Sequence, residues 1–275
     1  MILSDHIAEI LLVTGLVTAL PILQFLAPRF GLRVLFKLAP PEGAGGLFTR
    51  HWGIMAAAVG ALLVYAGSHA HLRQPVMLAA MIEKAARSDA DAVVLDLEDA
   101  VAVDEKAGSR ANVIRAFREL NFGPRLRIYR INGLDTPFAY RDLVEVTEAA
   151  GDHIDLVMLP KANAARDVQF VETLLSQIEA ARGLSRMIGI EAQIESAQGV
   201  LNVREVAQAS PRLETLIFGS GDFAASAGMP LENIGERGAY DTDYSGDRWH
   251  HVMQSVVLAA RAHGLRCLDG PFAGL

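Results

Sequence analysis

The stretch that decides the fold is AVVLDLEDAV, residues 92–101. It opens with a short apolar, β-branched run, Ala92 to Leu95, that is typical of a buried strand. Three carboxylates, Asp96, Glu98 and Asp99, follow at once. In a parallel α/β fold the carboxyl ends of strands open onto the active-site face, where carboxylates can hold a metal, a base or a cationic side chain. The alternative is a solvated loop that leads into a helix N-terminus, where the helix dipole favours acids.

Outward from this stretch, strands and helices alternate along the chain from about residue 88. The helical stretches include EKAGSRANVIRAFREL (105–120) and ARDVQFVETLLSQIEAARG (165–183). The strand-like runs are AVVLDL (92–97), RLRIYRI (125–131), IDLVMLP (154–160), MIGIEAQI (187–194), LETLIFG (213–219) and LRCLDG (265–270). This alternation predicts a parallel sheet with crossover helices, either a barrel or a doubly wound sheet.

Residues 1–85 are predicted to form a separate, membrane-like helical segment. Two apolar runs, residues 7–27 and 52–68, approach the roughly 20 residues that a bilayer-spanning helix needs. Buried helices of a soluble protein are the alternative. A signal peptide is disfavoured because Asp5, and no lysine or arginine, precedes the first run. We therefore divide the chain into this segment and a (β/α) domain over residues 86–275.

The composition excludes several classes of function. The formal net charge is −7 and no basic stripe offsets it, which argues against a nucleic-acid binder. A single cysteine, Cys267, excludes a disulfide framework and a Cys-rich zinc site. The sequence has no P-loop, nucleophile elbow or G-x-G-x-x-G motif, so nucleotide hydrolysis, serine hydrolysis and dinucleotide chemistry lack support.

Three polar side chains stand at or just after the ends of predicted strands: Arg130, Glu195 and Asp222. In a parallel barrel they would meet at one mouth. Glu195 and Asp222 would then offer two hard oxygen ligands for Mg²⁺ or Mn²⁺. Arg130 would offer a planar cation for a carboxylate or a developing enolate. The alternatives are a helix N-terminal acid for Glu195, an N-cap for Asp222, and either a site group or a solvated loop residue for Lys161.

Several motifs, in this order, resemble one known family, the citrate lyase β-subunit and malyl-CoA lyase group of the HpcH/HpaI aldolases. The motifs are VVLDLEDAV, DEKAGSR, RINGLDTPF, VMLPKAN, IEAQIESAQG and FGSGDFAAS, and the stretch DRWHHVMQSVVLAARAHGLRCLDGPF resembles malyl-CoA and β-methylmalyl-CoA lyases more specifically. The resemblance covers about residues 86–275. It implies a TIM barrel, a divalent metal, Mg²⁺ or Mn²⁺, and reversible cleavage of a 3-hydroxyacyl-CoA, such as malyl-CoA to acetyl-CoA and glyoxylate. A citryl-CoA lyase or another acyl-CoA aldolase is the runner-up.

The resemblance also implies roles for individual residues. Glu195 and Asp222 match the metal ligands, and together with Arg130 and Gly221 they match the substrate-binding set. Arg130 and Asp99 are the expected catalytic residues, although the roles within the acidic cluster cannot be divided from sequence. The expected partners are a CoA ester, glyoxylate and a second copy of the chain, with the lyase-like domain in the cytoplasm. Membrane association through residues 7–68 is left open.

Two features depart from the family's pattern. The first barrel strand is not recognisable, and the last strand, with its histidine motif, and the C-terminal lid have no counterpart. We therefore expect an incomplete barrel of six strands, where a closed barrel needs eight. By the positive-inside rule, two spans would place the lyase-like half outside the cytoplasm, so a fusion of two fragments is favoured over an evolved membrane-anchored lyase. A non-catalytic, truncated lyase-like fragment is the alternative to an enzyme.

Overall fold

The computed structural model describes residues 81–231, 234 and 246–270. The chain divides into two compact units, residues 1–85 and 86–275, and nearly all described residues belong to the second. The predicted spans over residues 7–27 and 52–68 lie outside the described residues. Of the helices that the structure does describe, none combines the length and the apolar character needed to cross a membrane.

The second unit is built on one six-stranded parallel sheet, in which each strand pairs with the next along the chain. Its strands are β1 (Ala92–Asp96), β2 (Leu126–Arg130), β3 (Leu156–Leu159), β4 (Gly189–Ile194), β5 (Leu213–Phe218) and β6 (Arg266–Leu268). Each strand lies within one of the six predicted runs. The prediction of a parallel α/β fold is therefore confirmed.

Helices occupy the connections between the strands. They are α1 (Lys106–Glu119), α2 (Ala139–Arg141), α3 (Thr147–Ala150), α4 (Ala165–Arg182), α5 (Ala197–Leu201), α6 (Val203–Ala207), α7 (Ser220–Ala227) and α8 (His250–Ala262). A π-helical turn, Asp142–Val146, joins α2 to α3. The sequence pattern predicts α1 and α4 but carries no signal for this turn, whose first residue, Asp142, anchors a buried polar network.

The strand order separates the two architectures that the sequence allows. A doubly wound sheet reverses its order at a switch point, whereas this sheet runs from β1 to β6 without reversal. Because crossover connections are right-handed, successive steps in one direction place the connecting helices on one face, as in a (β/α) barrel. On the interior face, Ile128 packs with Leu156 and Met158. On the helical face, the ring of Tyr129 lies edge-on to Phe117 of α1 at 6.3 Å.

The sheet is an open segment of a barrel. Within the described residues, β1 and β6 form its edges. Val94 and Leu268, on the interior face, are 42% and 45% exposed, whereas the interior of a closed barrel is filled by packed layers of side chains. The six strands match the number expected from the sequence, and the fold is accordingly described as a parallel half-barrel.

An aromatic cluster fixes α7 against β5. Phe218, the last residue of β5, lies 5.6 Å from Phe223 of α7 between ring centroids. Trp249, which precedes α8, contacts both rings at 5.8 and 5.9 Å, and Val252 of α8 completes the buried cluster. Because Asp222 directly precedes Phe223, this packing determines where the Asp222 carboxylate lies.

Candidate active site

Charged side chains converge at the carboxyl edge of the sheet. The register of β1 and β2 places Asp96 beside Arg130, and the other groups lie within four residues of the ends of their strands. The converging groups are Asp96 and Glu98 after β1, Arg130 at the end of β2, Lys161 after β3, Glu195 after β4 and Asp222 after β5. The three residues singled out from strand ends, Arg130, Glu195 and Asp222, therefore do share one mouth.

Asp96 fixes the guanidinium group of Arg130. Arg130 Nε donates to Asp96 Oδ1 at 2.8 Å, and Nη2 donates to Oδ2 at 2.5 Å. The same carboxylate accepts the main-chain N–H groups of Glu98 and Ala100 at 2.8 and 3.0 Å. Burial alone would raise the pKa of Asp96, but these donors, with Arg130 foremost, hold it below its ordinary value. This two-point pairing occupies Nε and Nη2, while Nη1 faces Glu98 Oε2 at 3.0 Å without a hydrogen bond to it.

Glu98 lies between the two cations of the site. Its Oε1 accepts a hydrogen bond from Lys161 Nζ at 2.9 Å. Its Oε2 lies 3.0 Å from Arg130 Nη1 in an ion pair that lacks hydrogen-bond alignment. The side chain is buried, and burial raises its pKa despite both cations. Lys106 of α1 holds this loop from behind, because its Nζ donates to the carbonyl oxygens of Leu97 and Glu98 at 3.2 and 2.9 Å. The acidic loop is thus a fixed element of the site.

Lys161 joins the third strand end to this cluster. Its main-chain N–H donates to Glu195 Oε1 at 2.8 Å. Its ammonium group lies 2.9 Å from Glu98 Oε1 and 3.5 Å from Asp222 Oδ2. Burial would lower the pKa of this ammonium group, but the hydrogen bond to Glu98 and the nearby carboxylates raise it. Lys161 is therefore a member of the site and not a freely solvated loop lysine.

Glu195 is buried, with 3% of its surface exposed. Burial raises its pKa to about 8, and the charges of Asp222 and Glu98 act in the same direction, against the hydrogen bond from the Lys161 main chain. Gly219 makes room for the carboxylate, because a Cβ atom there would lie 2.6 Å from Glu195 Oε2. A carboxyl group with so little solvent and a single hydrogen bond would be stabilised as an anion by a dication bound beside it.

Asp222 lies in the first turn of α7, where the helix dipole favours an acid. The N-cap of this helix is Gly219, so the interpretation of Asp222 as an N-cap is wrong. Asp222 Oδ2 is buried and has no hydrogen-bond partner among the described residues; only the Lys161 ammonium group stands 3.5 Å away. An orphaned buried carboxylate oxygen fits the role of a cation ligand.

Glu195 and Asp222 supply the carboxylates that a divalent metal would need. Mg²⁺ is commonly held by one or two carboxylates and keeps water or substrate in its other positions. Within the part of the chain that the structure describes, no group of three or more His, Cys, Asp or Glu side chains is arranged to hold a metal. Within the described residues, the candidate metal site therefore consists of these two carboxylates and the space that Gly219 leaves beside Glu195.

Two other predicted residues lie at the rim of the site. The side chain of Asp99 is 59% exposed, and its Oδ2 stands 3.6 Å from Arg130 Nη1. Gly221 lies on the first turn of α7, and a Cβ atom there would come within 3.3 Å of Ile234. The catalytic role of Asp99 and the substrate contact of Gly221 both stay predictions.

Asn132, which also follows β2, turns away from the mouth. Its main-chain N–H and its side-chain Nδ2 donate to Asp142 Oδ2 at 2.9 and 2.6 Å. Asp142 also accepts a hydrogen bond from Arg110 Nε at 2.7 Å. This network lies behind the strand and holds the loop after β2, so Asn132 is not part of the cluster at the strand ends.

The fold and the site define the class of this protein: a (β/α)-barrel-type sheet with an acidic, arginine-containing site at its carboxyl edge. The family follows from comparison with known proteins. The chain belongs to the HpcH/HpaI aldolase/citrate lyase family, whose model matches residues 73–273.

Similar proteins within and around the family give the assignment more detail. An L-malyl-CoA/β-methylmalyl-CoA lyase of Cereibacter sphaeroides is 46% identical over 201 residues, which cover 70% of this chain and 63% of that relative. A (3S)-malyl-CoA thioesterase of the same species is 37% identical over 195 residues, covering 70% and 58%. A malate synthase of Haloferax volcanii shares the fold, with a TM-score of 0.59 at 21% identity over 70% of this chain and 54% of that structure. The chain therefore spans somewhat less than two thirds of the curated relatives it matches.

Proposed function

We propose that this chain carries a metal-dependent carbon–carbon lyase activity, which cleaves malyl-CoA or a closely similar 3-hydroxyacyl-CoA to acetyl-CoA and glyoxylate and also runs in reverse. The observation that carries the proposal is the convergence of Arg130 with Glu195 and Asp222 at one mouth, where Asp222 Oδ2 is buried without a hydrogen bond. The similarity to a malyl-CoA/β-methylmalyl-CoA lyase supports the choice of substrate.

In this proposal Glu195 and Asp222 hold Mg²⁺ or Mn²⁺. When bound there, the ion supplies Lewis-acid stabilisation for negative charge that develops on oxygen. The fit rests on the orphaned Asp222 Oδ2 and on the space that Gly219 leaves beside Glu195 Oε2. Lys161 keeps Glu195 in place through its main-chain N–H.

The chemistry requires a stabilised enolate. In the cleavage direction the hydroxyl group loses a proton and the bond to the carbon next to the thioester breaks. The electron pair moves onto the thioester as an enolate, which takes a proton to give acetyl-CoA, while the hydroxyl carbon becomes the aldehyde of glyoxylate. We assign stabilisation of the developing anion to Arg130 Nη1, because Asp96 holds Nε and Nη2 and because the contact of Nη1 with Glu98 Oε2 at 3.0 Å is not a hydrogen bond. We assign Asp99, beside Nη1 at the rim, to the same step.

A second candidate reaction is thioester hydrolysis, which the similarity to a malyl-CoA thioesterase favours. In that reaction water attacks the thioester carbonyl, the carbon–sulfur bond breaks, and the products are malate and free CoA thiol. The two reactions share a substrate and differ in which bond is broken. Their products therefore distinguish them without further assumptions.

The experiment is to incubate the purified full-length chain with malyl-CoA, with and without Mg²⁺, and to measure glyoxylate as its phenylhydrazone and free thiol in parallel. We expect glyoxylate that depends on Mg²⁺ and little free thiol. Free thiol without glyoxylate would support the thioesterase. Neither product from a folded sample would support the non-catalytic fragment.

Asp222→Asn is the variant that tests the metal site. It keeps the shape of the side chain and removes its charge, so kcat/KM should fall at least about 100-fold, the upper range seen when residues around a metal are removed. Asp152→Asn, the same change at an exposed position away from the strand ends, is the matched control. Full activity in a folded Asp222→Asn variant would remove Asp222 from the site.

A further inference from the structure

Lys161 is placed differently from an ordinary substrate-binding lysine, because it contacts three acids of the site at once. Its main-chain N–H donates to Glu195 at 2.8 Å. Its ammonium group donates to Glu98 at 2.9 Å and stands 3.5 Å from Asp222. One residue thus touches both proposed metal ligands, Glu195 with its backbone and Asp222 with its side chain.

The backbone of Lys161 adopts an unfavourable conformation at the position where these contacts are made. Its φ angle is +50°, and it is the one residue other than glycine with a positive φ in the part of the chain that the structure describes. A side chain with a Cβ atom disfavours this left-handed region. In this conformation two successive main-chain N–H groups donate to the end of β4, that of Lys161 to the Glu195 side chain and that of Ala162 to the carbonyl oxygen of Gln193 at 3.1 Å.

The charges around Lys161 are unbalanced. Arg130 is already paired in two-point fashion with Asp96. Lys161 shares Glu98 with Arg130 Nη1, but among the described residues it is the cation in ion-pair contact with Asp222, and it makes a hydrogen bond only to Glu98. Its contact with Asp222 is purely electrostatic. A divalent cation on Glu195 and Asp222 would bring two positive charges to the same place and would repel the ammonium group.

We propose, on the basis of the metal site put forward above, that Lys161 is a positioning residue whose ammonium group competes with the divalent metal for Asp222. Without metal, the ammonium group compensates the charge of Asp222 and keeps the acids together. With metal bound, it leaves Asp222 and stays on Glu98. The main-chain N–H of Lys161 holds Glu195 in both conditions.

The test measures Mn²⁺ binding to the full-length chain by the loss of the electron paramagnetic resonance signal of free Mn²⁺. Lys161→Gly and Lys161→Asn remove the ammonium group, keep the main-chain N–H, and place residues that adopt a positive φ readily. Each should bind Mn²⁺ about tenfold more tightly than the wild type, the scale of a unit charge acting on a dication across a few ångströms of water. Lys161→Arg keeps the charge and should bind close to wild type.

A purely structural lysine gives the opposite result, because its removal would leave Mn²⁺ affinity unchanged or weaken it. Either outcome in folded Lys161→Gly and Lys161→Asn, or failure of both variants to fold, would overturn this inference. Asp222→Asn separates it from the proposed function. If the wild type binds Mn²⁺ and Asp222→Asn does not, the metal site stands whatever the Lys161 variants show. If the wild type does not bind Mn²⁺ at all, the metal site and this inference both fail.

Discussion

Two arginine–aspartate pairs in this chain have similar contacts and different surroundings. Behind β2, Asp142 is fully buried and accepts hydrogen bonds from Arg110 and from the backbone and side chain of Asn132. At the mouth, Asp96 pairs with Arg130 in a two-point geometry, with both side chains partly exposed. The first pair ties α1 and the π-helical turn to β2, while the second faces the space at the strand ends.

The difference lies in what remains unsatisfied around each pair. The carboxylate oxygens of Asp142 are both paired, and the buried acceptor without a partner in that network is the neutral amide oxygen of Asn132. At the mouth, two carboxylate oxygens, Glu98 Oε2 and Asp222 Oδ2, are buried without hydrogen bonds among the described residues. Buried charged groups are nearly always paired in a folded protein, so carboxylate oxygens without hydrogen bonds that cluster at one edge point to a missing ligand. The network behind β2 serves the fold, and the cluster at the mouth is available for chemistry.

The largest effect that this comparison predicts is on stability, at the buried pair. Asp142→Ala leaves the Arg110 guanidinium group, 5% exposed, without its main partner. Such a loss should lower the free energy of unfolding by about 3–5 kcal/mol. Urea unfolding of the full-length chain, followed by circular dichroism, measures it.

Glu145→Gln is the control on the same arginine. Arg110 Nη1 lies 3.5 Å from this carboxylate, whose side chain is 40% exposed, so its removal should cost less than about 1 kcal/mol. Equal losses for the two variants would mean that burial does not distinguish these contacts.

The next predicted effect is on the pH dependence of stability, and it concerns Glu191. This carboxylate belongs neither to the network behind β2 nor to the cluster at the mouth. It lies on β4 in register with Met158, on the interior face, and only 2% of its surface is exposed. Burial raises its pKa to about 7, against the opposing charge of Arg266. Because its folded-state pKa lies above the unfolded value of 4.5, the folded state keeps a proton that the unfolded state has lost between these pH values. Stability should therefore fall as pH rises through that window.

Glu191→Gln removes this pH dependence. Relative to the wild type, the variant should gain stability as pH rises, up to about 3 kcal/mol at pH 8, and the gain should vanish below pH 4. Glu214→Gln is the control, since Glu214 forms an ion pair with Arg266, the cation that acts on Glu191, but is 42% exposed. Denaturant midpoints across the pH range provide the measurement. A gain for Glu191→Gln that is constant with pH would contradict the assignment of a neutral, buried carboxyl group.

The fold was partly predictable because each strand is a short apolar run and because α1 and α4 are long. The strand pattern alone left the choice between a barrel and a doubly wound sheet open, since no strand sequence states which strand lies beside it; the resemblance to the HpcH/HpaI aldolases predicted the barrel. The π-helical turn was missed for a related reason. Its residue Asp142 has a role only through Arg110 and Asn132, which come from other parts of the chain.

The same distinction applies to the site. Arg130, Glu195 and Asp222 each lie at or just after the end of an apolar run, so the parallel direction of the strands was enough to bring them together. The roles of Asp96 and Asp99 were not separable, because they depend on the register that places Asp96 beside Arg130. The role of Lys161 could not be predicted either, because it depends on contacts with Glu98 and Asp222, which follow other strands than Lys161 does.

The smallest predicted effect is a loss of activity that identifies the acid that orients Arg130. Asp96→Asn cannot reproduce the two charge-assisted hydrogen bonds to the guanidinium group, so kcat/KM for malyl-CoA should fall about 10–100-fold. Mn²⁺ affinity should not change, because Asp96 contacts neither Glu195 nor Asp222 among the described residues. Asp99→Asn removes only an exposed ion pair at 3.6 Å and should cost less activity. The reverse order of activities would move the orienting role to Asp99, and weakened Mn²⁺ binding by Asp96→Asn would show that the arginine clamp and the metal site are not separate parts of the mouth.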